Sequence, residues 1–400
     1  MRDGWRKTTL EAVASQYIDG FKVLPDETYK NLGVQWYAGG TFAREPKRGS
    51  EVRATRLFRV KPGQFIYNRM FVTEGSFALV ASEHADGVVS NEFPVFDLDE
   101  AQVLPNFLLA YFQQPEVWRA VADEATGTTK SRRRWKESQF LAHSIILPPL
   151  GEQRRIVDLI AAVDDAVQAT EAEVADGVRT MWAVIESDLE RAEGRTVRLG
   201  EVATIVRGGS PRPIREYETS DPAGLPWIKI GDIAADGMYV TQTAVRIRAE
   251  GLTKTRMVKP GDFILSNSMS FGRPYISMIE GCIHDGWLAL SDYQQSFETR
   301  FLYFLLRGAG VQAQFEALAA GSGVRNLKKE SVAGVIVNVP SLTEQRDIVE
   351  RAWALRDAVD AARATADALR ALRSNLVTVL LSGEHEIPAS YDALLEGDVL

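Results

Sequence analysis

The chain has 400 residues, 45% of them apolar and 25% charged, and a formal net charge of −8. That is apolar material for two ordinary domains with their own cores, and one cysteine, Cys282, excludes an internal disulfide framework and suits a reducing cytoplasm. No apolar run reaches the roughly 18 residues a membrane helix needs, the N-terminus M-R-D-G-W-R-K-T-T-L has no signal core, and His84, His143, His284 and His385 show no zinc spacing.

The acidic balance is unevenly placed. Residues 152–193 carry a net −7 and the tail 383–400 a net −5, while 344–382 is neutral. Taking these from the total leaves +4 on the remaining segments, so the non-helical regions are mildly basic.

In chain order, residues 1–147 mix short apolar runs with Gly and Pro punctuation, which predicts an α+β domain. V-K-P-G-Q-F-I at 60–66 places a turn before an apolar strand and leaves Tyr67, Asn68 and Arg69 at its polar end. Contact with a ligand and simple turn chemistry are both open for these residues. F-A-L-V-A at 77–81 reads as a strand and N-F-L-L-A-Y-F at 106–112 as a buried helix. The densest basic cluster follows: Gly127, Thr128 and Thr129, then Lys130, Arg132, Arg133, Arg134 and Lys136 with Trp135 interleaved. Small and hydroxyl residues let a backbone approach phosphate, and arginines fork onto phosphate or guanine; a solvated loop is the plainer alternative. From 148, P-P-L-G-E-Q-R-R-I-V opens a helical stretch with Pro149 in its first turn. Its seam runs through Ile156, Ile160, Val163, Val167, Thr170 and Val174, then shifts phase towards Val178, Met181, Ile185 and Leu189.

Residues 195–339 repeat this plan. R-L-G-E-V-A at 198–203 echoes T-L-E-A-V-A at 9–14, and a Gly/Pro-rich loop follows with Arg207, Gly208, Gly209, Ser210, Arg212 and Arg215. P-W-I-K-I at 226–230 reads as a strand. V-K-P-G-D-F-I at 258–264 leads to Ser266, Asn267, Ser268, Ser270 and Arg273. R-F-L-Y-F-L-L at 300–306 matches the buried helix of the first half, and V-I-V-N-V at 335–339 is another strand. Ser322, Arg325, Asn326, Lys328 and Lys329 stand where the basic cluster stood, Asn326 having the donor and acceptor that pair with adenine. K-K-E-S at 328–331 echoes W-K-E-S at 135–138.

P-S-L-T-E-Q-R-D-I-V at 340–349 then opens a second helix, with Ser341 and Glu344 placed as a capping box. Positions 348, 352, 355, 359, 362, 366, 369, 373, 376 and 380 make a heptad seam whose one charged member is Arg373. Four echoes in the same order mark a tandem duplication, each unit a domain followed by a helix of roughly 40 residues, or about 60 Å. Such helices bury their seams on each other within the chain or, as the alternative, on a second copy, and an antiparallel intramolecular pair would space the two domains. The acidic tail suggests no role beyond a disordered or partner-facing end.

The paired P-x-L-x-E-Q-R-x-I-V and K-P-G-(D/Q)-F-I motifs, each set followed by a long helix, resemble the specificity subunits of type I restriction–modification systems. W-I-K-I-G-D-I at 227–233, A-G-S-G-V-R-N-L-K-K-E-S at 320–331 and E-A-T-G-T-T-K-S-R-R-R-W-K-E-S at 124–138 look like stretches of that family's target-recognition domains. The resemblance implies recognition domains at 1–147 and 195–339, spacer helices at 148–194 and 340–382 forming an antiparallel coiled coil, and the tail at 383–400. It also implies double-stranded DNA, two methyltransferase subunits and a restriction/translocase subunit as partners. The chain itself would be non-catalytic, with S-adenosylmethionine, ATP and magnesium acting on partner subunits. The candidate DNA contacts are Asn68, Arg69, Lys130, Arg132, Arg133, Arg134, Lys136, Arg207, Ser210, Arg212, Asn267, Ser268, Arg273, Arg325, Asn326 and Lys328.

Two other readings compete. A coiled-coil scaffold that binds only proteins accounts for the helices but not for two basic, loop-rich domains. A magnesium nuclease rests on Pro25-Asp26 and Glu45-Pro46-Lys47, where Pro46 disturbs the strand such a site requires. L-P-P-L at 147–150 lacks the polar first and aromatic last residues of an amino-methyltransferase motif, and G-S-G at 321–323 lacks the rest of a nucleotide fingerprint. His143 and His284 read as ordinary histidines rather than catalytic bases.

Overall fold

The computed structural model describes residues 2–127, 133–234, 237–267, 271–319 and 326–392. The chain divides into two units, Met1–Glu171 with Ala364–Leu400, and Ala172–Arg363. Each unit holds part of both long helices, which run over Leu150–Arg191 and Leu342–Ser382.

In the first unit, strand Arg6–Thr9 pairs antiparallel with Ser144–Leu147. A four-stranded antiparallel sheet runs Phe77–Leu79, Phe65–Tyr67, Val95–Leu98, Ala14–Tyr17, and a three-stranded sheet sets Arg56–Arg59 between Val88–Val89 and Gly20–Lys22. Alternation along Phe65–Tyr67 explains its position. Phe65 and Tyr67 enter an aromatic core with Phe77, Phe96, Phe112, Trp135 and Phe140, while Ile66 faces a second cluster with Leu32 and Val89. The Phe96 and Phe140 rings lie 4.1 Å apart and those of Phe77 and Phe112 4.6 Å apart. The expected helix at 106–112 is Pro105–Phe112.

The second unit repeats the arrangement with strand Gly194–Arg198 on Ile336–Pro340. One five-stranded sheet runs Thr204–Arg207, Trp287–Ser291, Phe263–Ser266, Pro274–Ser277, Tyr239–Val240. Another runs Glu218–Thr219, Val245–Ile247, Leu225–Ile228, Gly281–Ile283, Arg256–Val258. Phe263 and Leu265 enter one core and Ile264 the other, as Phe65, Tyr67 and Ile66 do. The helix Thr299–Arg307 stands where Pro105–Phe112 stands in the first unit.

The duplicated motifs are structural devices. Gly63 (φ 80°) and Gly261 (φ 94°) both occupy the left-handed region. In each K-P-G turn the fourth residue's side chain accepts from the lysine N–H: Lys61 N donates to Gln64 Oε1 at 2.7 Å, and Lys259 N to Asp262 Oδ2 at 2.8 Å. The glutamine of P-x-L-x-E-Q-R is fully buried in both copies. Gln153 Oε1 accepts from Leu104 N at 2.9 Å, and its Nε2 donates to the Gln102 and Pro148 carbonyls at 3.0 and 2.9 Å. Gln345 Oε1 accepts from Glu298 N at 2.8 Å, and its Nε2 donates to the Ser296 and Pro340 carbonyls at 2.8 and 2.9 Å. One amide thus satisfies three backbone groups and fastens each long helix to the start of the buried helix before it.

Both units show the long helices packed antiparallel. In the first, Arg373 binds Asp164, with Nη2 to Oδ2 at 3.0 Å, and also Gln113 at 2.7 Å; Arg370 Nε donates to Glu171 at 3.1 Å. The charged seam position therefore has partners. In the second, Arg351 Nε donates to Asp188 at 2.9 Å, and a Cβ added at Gly177 would meet Val359 at 2.9 Å. Buried Ala352 and Ala366 allow the close approach. Ser341 Oγ accepts from Glu344 N at 3.2 Å, which is one arm of the expected capping box. Pro149 differs from expectation: it immediately precedes the helix, and its carbonyl accepts from Glu152 and Gln153, as a capping residue's does.

Residues 383–392 also depart from the expected disordered or partner-facing tail. Ile387 is buried in the first unit's core, Arg155 forks onto Asp392 at 2.7 and 3.2 Å, and Arg2 binds Glu386 at 3.0 Å. Residues 393–400 lie outside the described residues. No helix among the described residues is long and apolar enough to cross a membrane.

Replacing Gln345 by Leu strands a backbone N–H and two carbonyls in the core, so it should destabilise the second unit by about 2–4 kcal/mol. Urea unfolding of the full chain checks this. A midpoint matching the wild type, or one no lower than that of Thr343→Ala on the exposed face, would refute it.

Candidate nucleic-acid interface

In the first unit the strand after the K-P-G turn ends at Asn68 and Arg69. Asn68 is buried, and its Oδ1 accepts from Met70 N at 3.0 Å, so its amide oxygen serves the turn. Arg69 is half-buried and paired with Glu137. Trp135 N donates to the Arg69 carbonyl at 3.2 Å, which draws the basic segment onto the end of that strand. Trp135, interleaved with the basic residues in the sequence, is wholly buried, with its indole donating to Glu124 at 3.0 Å. The large ring belongs to the aromatic core and leaves the cations around it at the surface. Arg133 and Lys136 are exposed, and Arg134 Nε donates to Glu92 at 2.9 Å. Thr128, Thr129, Lys130 and Arg132 lie outside the described residues.

The second unit uses the same backbone connection. Leu327 N donates to the Asn267 carbonyl at 2.9 Å, and Leu327, like Trp135, is buried. Asn326 is half-buried and its Oδ1 has no hydrogen-bond partner among the described residues, while Lys328 is exposed. Arg273 N donates to Ser266 Oγ at 3.1 Å. Ser268, Ser270, Ser322 and Arg325 lie outside the described residues.

Four candidates from two distant segments meet at Asp285, a residue the sequence did not single out. Ser210 Oγ donates to Asp285 Oδ1 at 2.7 Å, and Arg212 Nη2 to Oδ2 at 3.2 Å. Arg207 Nε and Asn267 Nδ2 donate to the Asp285 carbonyl at 3.2 and 2.8 Å. The Ser210 hydroxyl, with smaller help from Arg212, holds the Asp285 carboxyl below the usual carboxylate range despite opposing burial. A depressed folded pKa stabilises the array above the ordinary value of about 4, and that contribution is lost as pH falls through the lower folded value. The array is therefore intact at neutral pH.

Asp285 and Glu92 hold places one residue apart in the two repeats. Arg69 N donates to the Glu92 carbonyl, and Asn267 N to the carbonyl of Gly286, beside Asp285, both at 3.0 Å. In each unit, an acid on the loop before a core strand steadies the surface arginines. Neither acid carried a sequence signal: each sits beside a turn, where a lone carboxylate is ordinary. Among the described residues, no cluster of three or more His, Cys, Asp or Glu could hold a metal ion.

Residues 193–361 match the family model of the type I restriction modification DNA specificity domain. The resemblance to type I specificity subunits is borne out. The chain is 20% identical over 301 residues to the MjaX type I restriction enzyme specificity subunit of Methanocaldococcus jannaschii, covering 70% of this chain and 67% of the relative. Among solved structures, it is similar to a chain from work on assembly and conformational transition of a type I restriction–modification system, with TM-score 0.67, 21% identity and coverage of 95% and 98%. The HsdS subunit from Thermoanaerobacter tengcongensis matches with TM-score 0.51, 22% identity and coverage of 96% and 98%. The S subunit from M. genitalium matches with TM-score 0.51, 14% identity and coverage of 94% and 96%. These solved chains share the α+β fold, and in this chain a long helix follows each domain.

Asp285→Asn keeps the shape but removes the charge that holds Arg212. If this array faces DNA, the expected effect is tighter binding to arbitrary duplex DNA, since a repelling carboxylate is gone, together with weaker preference for a specific site, since the donors are less fixed. Competition binding at two salt concentrations checks both signs; a parallel change in specific and arbitrary binding would count against a positioning role.

Proposed function

We propose that this chain is the DNA-recognition subunit of a type I restriction–modification complex, each domain reading one half of a bipartite target. The recognition domains are assigned to 1–147 and 195–339, the spacers to 148–194 and 340–382, and the tail to 383–400. The helices set the gap between half-sites and dock two methyltransferase subunits, and a restriction/translocase subunit joins the assembly. In this reading the chain performs no chemistry; S-adenosylmethionine, ATP and magnesium act on its partners.

The observation that carries the reading is a display built twice. In each unit a K-P-G turn feeds a core strand, a buried residue pins a polar segment to that strand's end, and an acid holds the arginines there. Two similar readers at fixed separation are what a split target requires, because half-site spacing follows from protein geometry. Two readers of different surface sequence suit an asymmetric target.

Methylation sequencing of genomic DNA from cells with and without the chain, its native partners present, tests this reading. One split methylation motif should vanish with the chain; retention of every motif would oppose the proposal. Inserting equal lengths into both helices should change the accepted gap and leave the half-sites as they were, and an unaltered gap would defeat the spacer role. Arg133→Ala should lower the salt slope of binding by about one, while Arg134→Ala should lower it less because Glu92 already engages that side chain. Equal slopes for both variants and the wild type would remove this segment from the phosphate contacts.

A further inference from the structure

Beside the Asp285 array lies an open groove of about 860 Å³, lined by Ser210, Arg212, Ile214, Trp227, Lys229 and His284, among others. Its cations can meet phosphate from any sequence. His284 is different in kind. Gly286 N donates to His284 Nδ1 at 2.8 Å, so the neutral ring carries its proton on Nε2. A Cβ at Gly286 would meet the imidazole at 2.3 Å, so glycine is what lets the ring occupy this seat. The ring lies 6.1 Å from that of Trp227 and 5.9 Å from that of Trp287. Burial there, helped by Lys229, pushes its pKa below the ordinary histidine value against the opposing Asp285 and Asp232. Nε2 has no hydrogen bond among the described residues. The groove is thus given a neutral imidazole donor of fixed tautomer beside cations that can meet phosphate of any sequence.

We propose that His284 is a base-reading residue of the second domain, its Nε2–H donating to an acceptor on a base edge in the major groove. This rests on the reading of the chain as a DNA-recognition subunit. Purine N7, guanine O6 and thymine O4 can accept such a bond, whereas cytosine presents an amino donor there. His284 therefore excludes cytosine at one base of the second half-site, while Arg207, Arg212 and Lys229 supply sequence-independent attraction around it.

The test uses the assembled complex and duplexes carrying the motif read from wild-type methylation, with each position of the second half-site replaced in turn. His284→Ala should admit cytosine at one position, with discrimination there falling about tenfold and other positions unchanged. Removing the ring also uncovers Trp227 and Trp287, so His284→Gln, which keeps an N–H donor, is run beside it and should alter preference at that same position alone. Discrimination that is unchanged everywhere, or weakened alike at every position, in the variants that assemble would overturn the proposal. A wild-type complex lacking any split motif would instead overturn the recognition role itself, so the two failures are distinguishable.

Discussion

A single buried amide joins each domain to its long helix, and the remaining architecture hangs on that joint. Gln153 and Gln345 each accept one backbone N–H and donate to two carbonyls in a site closed to water. An unmade bond there costs more than a made bond contributes, so the connection admits little alternative geometry. The helix leaves its domain in a direction set by three polar contacts, which a purely apolar joint would define less sharply.

From that joint the two faces of a short strand organise each domain. Phe65 and Tyr67 point one way and Ile66 the other, as do Phe263, Leu265 and Ile264. Strands buried on both faces make a stiff base, and polar residues at their ends inherit that stiffness. Backbone bonds from Trp135 and Leu327 then bring the second polar segment to the same place. A surface built this way can hold arginines in fixed directions at little cost, because the entropy of ordering them is shared with neighbouring acids.

The distribution of charge follows the same division. Acids on the long helices are matched by arginines of the opposite helix, as in Asp164 with Arg373, Glu171 with Arg370 and Asp188 with Arg351. Exposed and half-exposed pairs of this kind contribute little stability individually but favour one orientation of the helices. The segments outside the helices and tail keep a small positive balance, which suits a polyanionic partner even though the whole chain is acidic.

Repetition and periodicity made the duplication, both long helices, the α+β character and the paired polar segments legible in the sequence, because each rests on local spacing. Capping detail was less legible: Pro149 precedes its helix, since its carbonyl is used as a cap. The burial of Trp135 was not legible either: it stands among basic residues in the sequence, yet an extended segment sends alternate side chains to opposite sides. The tail looked unattached because its anchors, Arg2 and Arg155, are more than 200 residues away. The sequence by itself determined which elements exist and that they occur twice, since hydrophobic period and turn chemistry act over a few residues. Only the tertiary structure decided that Arg207, Ser210, Arg212 and Asn267 converge on Asp285 beside His284, because hydrogen bonds between residues 18 to 78 positions apart depend on sheet pairing that no local pattern encodes.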